Sequence, residues 1–166
     1  YVDVKYGRLN NTPNDRLPTE KIANLEKAEA AVVAASGMAA VTGTLLAVID
    51  PGGHLISQES LYGGTYYFLR DHFPKWNREK TLFSLHETAG LSQYFKKTTK
   101  AVYVETTSNP LLEVPDFEKI VEKAHSHGAL AIIDNTFASP FNFNPIDLGF
   151  DLAIHSATKY LNGHSD

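Results

Sequence analysis

Cysteine is absent from the 166 residues, which removes disulfides, thiolate nucleophiles and cysteine-ligated zinc at once. The same absence leaves the redox compartment open. No stretch approaches the roughly 20 continuous apolar residues needed to span a bilayer, and the first residues have neither the basic start nor the apolar core of a signal peptide. A cytoplasmic location is therefore the default expectation. A cationic excess is missing too: Lys and Arg number 15 against 19 Asp and Glu, a formal net charge of -4. No basic block supplies the clustered positive surface that nucleic acid requires.

Metal chemistry also lacks its usual pattern. Of seven histidines, His125 and His127 point in different directions on one helix, and His155 and His164 have no third ligand near them in sequence, so no metal site is expected. No Gly-x-Ser-x-Gly elbow occurs to expose a serine nucleophile. The length suits about one domain, and the composition is that of an ordinary globular protein. The chain starts at Tyr1 rather than methionine and stops at Asp166, shortly after a lysine of interest, so it is expected to be a fragment of a longer polypeptide.

Residues 1–18 are polar, with two prolines and several Asn and Asp residues, a composition for an extended arm. From Thr19, read as an N-cap, the spacing of Ile22, Leu25, Ala28, Ala31 and Val32 predicts a helix ending near Ala35. After Ser36-Gly37-Met38, a buried helix is predicted from Ala39 to Ile49, ended by Asp50-Pro51-Gly52-Gly53. Short apolar strands then follow at His54–Ser57, Thr81–Leu85, Ala101–Glu105, Ala129–Asp134 and Asp151–Ile154. Between two of them, Asp116-Phe117 opens a helix with the apolar face Phe117, Ile120, Val121 and Ala124, closed by Gly128. This alternation predicts an α/β domain with a mostly parallel sheet, whose ligands bind beyond the carboxyl ends of the strands.

That rule selects the candidate residues. Lys159 stands beside Ser156 and Thr158 after the last strand, an arrangement in which an amine can capture a carbonyl while two hydroxyls hold a phosphate, or is simply a solvated loop lysine. Asp134 ends a buried strand, where a carboxylate needs a cationic partner such as a protonated pyridine nitrogen; a turn or helix cap is the alternative. Ser36-Gly37-Met38 places backbone amides at a helix start suited to an anion, or forms a plain small-residue turn. Tyr62, beside Gly63 and Gly64, is placed to lie over a planar ring or simply to pack. Asn109 follows a strand and either meets a ring hydroxyl or forms an Asn-Pro turn.

Together these segments resemble the Cys/Met metabolism family of pyridoxal-phosphate enzymes, the group of cystathionine γ-synthase, cystathionine lyases, methionine γ-lyase and O-acetylhomoserine sulfhydrylase. The resemblance runs in order through Tyr6-Gly7-Arg8, Leu25-Glu26-Lys27-Ala28-Glu29-Ala30, Ser36-Gly37-Met38-Ala39-Ala40 and Leu61-Tyr62-Gly63-Gly64-Thr65-Tyr66. It continues through Glu105-Thr106-Thr107-Ser108-Asn109-Pro110, Asp134-Asn135-Thr136-Phe137-Ala138-Ser139-Pro140 and His155-Ser156-Ala157-Thr158-Lys159-Tyr160.

The resemblance implies a fold-type I large domain with helices on both faces of the sheet, pyridoxal 5′-phosphate as cofactor, and a homodimer or homotetramer. It implies catalytic roles for Lys159, Tyr62 and Asp134: Lys159 holds the cofactor aldehyde and later shuttles a proton, Asp134 pairs with the ring nitrogen, and Tyr62 stacks on the ring. The phosphate would be held by Gly37, Met38, Ser156 and Thr158, with Asn109 near the ring oxygen. Tyr6 and Arg8, on the arm of residues 1–18, would reach the phosphate of a neighbouring subunit. Residues 19–166 would then be the truncated large domain, with the C-terminal substrate domain and its carboxylate-binding arginine absent. The run Asn10-Asn11-Thr12-Pro13-Asn14 departs from the family's usual Asn-Pro-Thr.

The implied function is trans-sulfuration chemistry on sulfur amino acids or activated homoserine, by β- or γ-elimination or γ-replacement. Gly64 stands where some methionine γ-lyases carry cysteine and leans away from that activity. An aminotransferase of the same fold and a non-catalytic cofactor-binding fragment are the competing readings. The 166 residues alone are expected to show little or no turnover.

Overall fold

The computed structural model describes residues 12–164. Five parallel strands form one sheet in the order β2-β1-β3-β4-β5, with β1 at His54–Gln58, β2 at Glu79–Phe83, β3 at Thr99–Glu105, β4 at Leu130–Asp134 and β5 at Leu152–Ile154. All five predicted strands are present, with ends shifted by one or two residues. Side chains alternate across the sheet: Leu55, Ala101, Tyr103 and Ile132 enter one apolar core, and Ile56, Val102, Val104, Ala131 and Ile133 enter the other. Two buried faces explain the near-continuous apolar strands, because each successive residue finds a dry layer.

Helix α2, Gly37–Val48, supplies Val41 and Leu45 to the first core. Helix α4, Phe117–Ser126, supplies Ile120, Val121 and Ala124 to the second. The α4 signals act as expected: Asp116 caps the Lys119 amide at 3.1 Å, and Gly128 takes φ +70° after the helix. Between β1 and β2 a short helix α3, Gly63–Tyr67, runs on through one π-turn at Phe68–His72 and a 3-10 turn at Phe73–Trp76. A further short helix, α5, occupies Ser139–Asn142.

The N-terminal helix corrects the sequence reading. Helix α1 spans Pro13–Glu26, so residues 13–18 are helical rather than extended, and Thr19 lies inside the helix rather than at its cap. The start is built by Thr12 and Asp15: the Asp15 carboxylate accepts the Thr12 N–H at 3.1 Å, and Pro13 in the first position has its φ already set for a helix. Pro18 is accommodated within, and the Thr19 hydroxyl donates to the carbonyls of Asp15 and Arg16. The helix stops at Glu26 because Lys27 turns left-handed, at φ 57°. Beyond it Val32 is 86% exposed among the described residues, so the apolar spacing from Ala28 to Val32 is at most partly covered by them.

The chain runs from β1 outward to β2 and returns to the other side of β1 for β3. That reversal creates the switch point at which open α/β sheets bind ligands. Register then aligns the strand ends, with Glu105 opposite Asp134 and Asp134 opposite Ile154. Among the described residues, no helix is long and apolar enough to cross a membrane.

Candidate active site

A cavity of about 310 Å³ opens at these strand ends, at the small end of the roughly 300–1,000 Å³ typical of small-molecule sites. Every candidate within the described residues lines it: Lys159, Asp134, Tyr62, Gly37 and Met38, together with Ser156, Thr158 and Asn109. Tyr6 and Arg8 lie outside the described residues. Thr136, which the sequence reading did not single out, also faces this space.

The anion end is formed where α2 begins. Ser36 caps the helix by accepting the Ala39 N–H at 3.0 Å, and its carbonyl takes the Ala40 N–H. Gly37 and Met38 contribute first-turn amides, which have no acceptor within a helix and carry the positive end of its dipole. Gly37 abuts Ser156 so closely that a Cβ on it would lie 2.7 Å from the Ser156 Cβ and Oγ. A cradle of amides and hydroxyls this tight suits a phosphate group.

At the ring end, Asp134 finishes β4. Its Oδ1 accepts the Thr136 N–H at 3.0 Å and a short hydrogen bond from the Thr136 hydroxyl, while Tyr103 OH lies 3.5 Å from Oδ2. Burial pushes the Asp134 carboxyl above its ordinary range, and the Thr136 donors pull it back. Tyr62 is half exposed, and its ring lies against Gly64: a Cβ there would come within 2.7 Å of Tyr62 Cε1 and 2.9 Å of Met38 Sδ. A side chain at position 64 would therefore displace the ring or the thioether. Lys159 is exposed at the cavity mouth, with its amide bonded to the Ser156 carbonyl at 3.1 Å.

The sequence places Glu105 at a strand terminus and within the segment 105–110, but assigns it no role in the site. Buried at the end of β3, it lines the cavity and accepts the Tyr62 N–H at 2.8 and 3.1 Å on its two oxygens. Desolvation raises its carboxyl to about 8, opposed by that amide and reinforced by the charge of Asp134. The rule that selected Asp134, an acid at the carboxyl end of a buried strand, applies equally to Glu105 and was the signal available. Thr107 Oγ1 is buried without a partner in the same cavity wall. An orphan hydroxyl, an amide cradle and a strand-end carboxylate in one space fit a planar ring bearing a phosphate. Among the described residues no cluster of acids and histidines gathers as for a metal ion. His125 instead pairs with Asp151, and His155 with Glu26.

Fold and cavity together define a doubly wound α/β domain with a phosphate-cofactor site at its switch point. Residues 2–166 match the model of the Cys/Met metabolism PLP-dependent enzymes, and the chain belongs to that family. It is 40% identical to the L-methionine gamma-lyase of Fusobacterium nucleatum over 162 residues, 97% of this chain and 41% of that enzyme. The cystathionine gamma-lyase of Lactobacillus plantarum, solved with L-serine, superposes with a TM-score of 0.94 at 37% identity over 99% of this chain and 42% of its own. A Campylobacter jejuni structure described as an O-acetylhomoserine (thiol)-lyase, containing N′-pyridoxyl-lysine-5′-monophosphate, superposes with a TM-score of 0.90 at 30% identity, covering 94% of this chain and 38% of its own. The chain thus spans about two-fifths of the length of these relatives.

Proposed function

We propose that the protein of which this chain forms part is a trans-sulfuration enzyme acting on sulfur amino acids or activated homoserine. The observation that carries the reading is the convergence of Lys159, Asp134, Tyr62 and the Gly37–Ser156 cradle on one cavity at the sheet's switch point. Bound pyridoxal 5′-phosphate supplies a carbonyl that captures amines and a protonated ring that accepts electrons from an amino-acid Cα. Asp134 keeps the proton on the ring nitrogen by placing a negative charge beside it. The amides of Gly37 and Met38 and the hydroxyls of Ser156 and Thr158 hold the phosphate, and Asn109 meets the ring oxygen.

Lys159 would hold the aldehyde end and, once freed as an amine, would take the substrate Cα proton; for departure of a group on Cγ it would pass that proton on and remove one from Cβ as well. Tyr62 covers the ring and assists that transfer with its phenol. Departure of the group on Cβ or Cγ then gives elimination, or replacement when a thiol attacks. The segment that carries Tyr6 and Arg8 serves the neighbouring subunit's phosphate in a homodimer or homotetramer. The residues from α1 onward form the large domain, and a C-terminal domain supplies the carboxylate-binding arginine. The enzyme works in the cytoplasm.

The test uses the full-length protein. Lys159→Ala is expected to abolish the visible-violet absorbance of lysine-bound cofactor and turnover with it; retention of that band would remove Lys159 from its role. Cystathionine, O-acetylhomoserine, O-succinylhomoserine and methionine are then assayed for products. Keto acid with ammonia, or a thioether amino acid from an added thiol, supports the reading. Production of a new amino acid from an added keto acid would make the enzyme an aminotransferase.

A further inference from the structure

The carboxylate and the lysine loop of the cavity are joined by a residue to which neither the sequence analysis nor the proposed chemistry assigns a role. Thr136 follows β4 by two positions and is buried. Its hydroxyl sits between two partners of opposite kind. On one side the Ser156 amide donates to it at 2.8 Å, and on the other it makes a short hydrogen bond to Asp134 Oδ1. A hydroxyl has one proton, and an amide N–H can only donate, so the Thr136 proton is committed to Asp134.

The consequence falls on both partners. Asp134 Oδ1 receives two donors from Thr136, the amide at 3.0 Å and the hydroxyl, whereas Oδ2 has only the long contact from Tyr103 OH at 3.5 Å. The two oxygens are thereby made unequal, with Oδ2 left as the acceptor for a ligand in the cavity. The Ser156 amide, at the base of the turn that carries Thr158 and Lys159, is held to the same hydroxyl. Two walls of the cavity thus hang on one oxygen atom.

We propose that Thr136 is a positioning residue that couples the ring-holding and phosphate-holding halves of the site: its hydroxyl fixes which Asp134 oxygen faces the ring nitrogen and sets the Ser156–Lys159 loop at a constant distance from it. The inference rests on the reading of this cavity as a pyridoxal-phosphate site. Hydrogen bonds to the ionised form favour it, so the Thr136 donors also lower the Asp134 carboxyl against the upward push of burial. The other titratable groups around Asp134 are Tyr103 and Glu105 on β3, His155 beyond β5, and Lys159 across the cavity.

The experiment compares full-length holoenzyme carrying Thr136→Val, which keeps the shape and removes the hydroxyl, with Thr136→Ser, which restores it. Cofactor affinity is read by titrating apoprotein with pyridoxal phosphate, and the pH profile of the bound cofactor's absorbance is recorded alongside. Thr136→Val is expected to weaken cofactor binding about tenfold or more and to displace the pH profile, with Thr136→Ser close to wild type in both. Unchanged affinity and profile in Thr136→Val would overturn the proposal, as would a Thr136→Ser protein as impaired as Thr136→Val, since the methyl and not the hydroxyl would then matter. If Thr136→Val does not fold, Thr136→Ser against Thr136→Ala decides the same question by the hydroxyl alone. A wild-type protein that takes up no cofactor would instead overturn the reading of the cavity itself.

Discussion

Gly37 and Ser156 touch: a Cβ on the first would lie 2.7 Å from the Cβ and Oγ of the second. The start of α2 and the loop to Lys159 therefore share one wall, and only glycine permits the approach. Gly37→Ala should force the two apart, with an overpacking cost of about 1–3 kcal/mol and a loss of cofactor affinity of about tenfold. Urea unfolding and a pyridoxal-phosphate titration of the full-length variant measure both. Wild-type affinity in the alanine variant would show that the contact is dispensable.

Glu105 should make the cofactor-free protein less stable as pH rises. Its carboxyl, ordinarily near 4.5, is raised to about 8 by burial, so between those values the folded chain keeps a proton that the unfolded chain has released. Stability from this group is full below the lower value, declines by up to about 1.4 kcal/mol per pH unit across the window, and is level above it. The raised carboxyl of Asp134 acts with the same sign. Glu105→Gln keeps an oxygen for the Tyr62 amide and removes the titration, so urea midpoints should decline less steeply over this range. An identical slope in both proteins would refute the assignment.

The pair Glu26–His155 ties the end of α1 to the residue before Ser156. Their side chains are only 3% and 6% exposed, and Asn135 Nδ2 donates to the same Glu26 oxygen at 3.0 Å. Removing the imidazole leaves the buried Glu26 oxygen with only the Asn135 donor, so His155→Ala should destabilise by about 1–3 kcal/mol. Replacing both residues by leucine should cost less than the two single changes added together. Denaturant unfolding of the three variants tests this, and additive losses would mean that the two side chains are not coupled.

His54 should protect stability near neutrality and lose that protection in acid. Its ring nitrogens each lie 2.8 Å from a hydroxyl, Nδ1 from Thr99 and Nε2 from Thr81, at the opposite end of the sheet from the cavity. Burial, then the Lys96 charge, lowers its pKa from 6.5. Below that value the unfolded chain takes up a proton that folded His54 resists, so stability falls as pH falls. In His54→Asn, the Tm at about pH 5 relative to that at about pH 7 should be higher than in wild type, since the loss due to His54 is gone. A difference of equal size would show that other groups dominate the acid limb.

Much of the fold was legible in local pattern. The five strands and α4 announced themselves because a segment buried on two faces is apolar throughout and one buried on one face is periodic, and both facts are written residue by residue. α1 was misread at both ends. Pro13 and Pro18 looked like breaks, yet Pro13 occupies the first turn where its missing N–H is harmless, and Thr12 with Asp15 caps it. The expected continuation to Ala35 failed because apolar spacing describes a helix only if some surface covers it, and the described residues leave Val32 exposed.

Lys159, Asp134, Tyr62 and the Gly37 turn could be named from the chain alone, since each sits at a strand end or helix start that sequence pattern can locate. Their meeting in one cavity could be expected but not measured. What the tertiary structure decided is who touches whom across long separations: Glu105 on the Tyr62 amide, Glu26 on His155, and the Thr136 hydroxyl between Asp134 and Ser156. Local sequence encodes burial and periodicity. Contacts between distant segments depend on strand order and register, and a shift of one residue would turn Glu105 and Asp134, the strand residues among these, to the other face of the sheet.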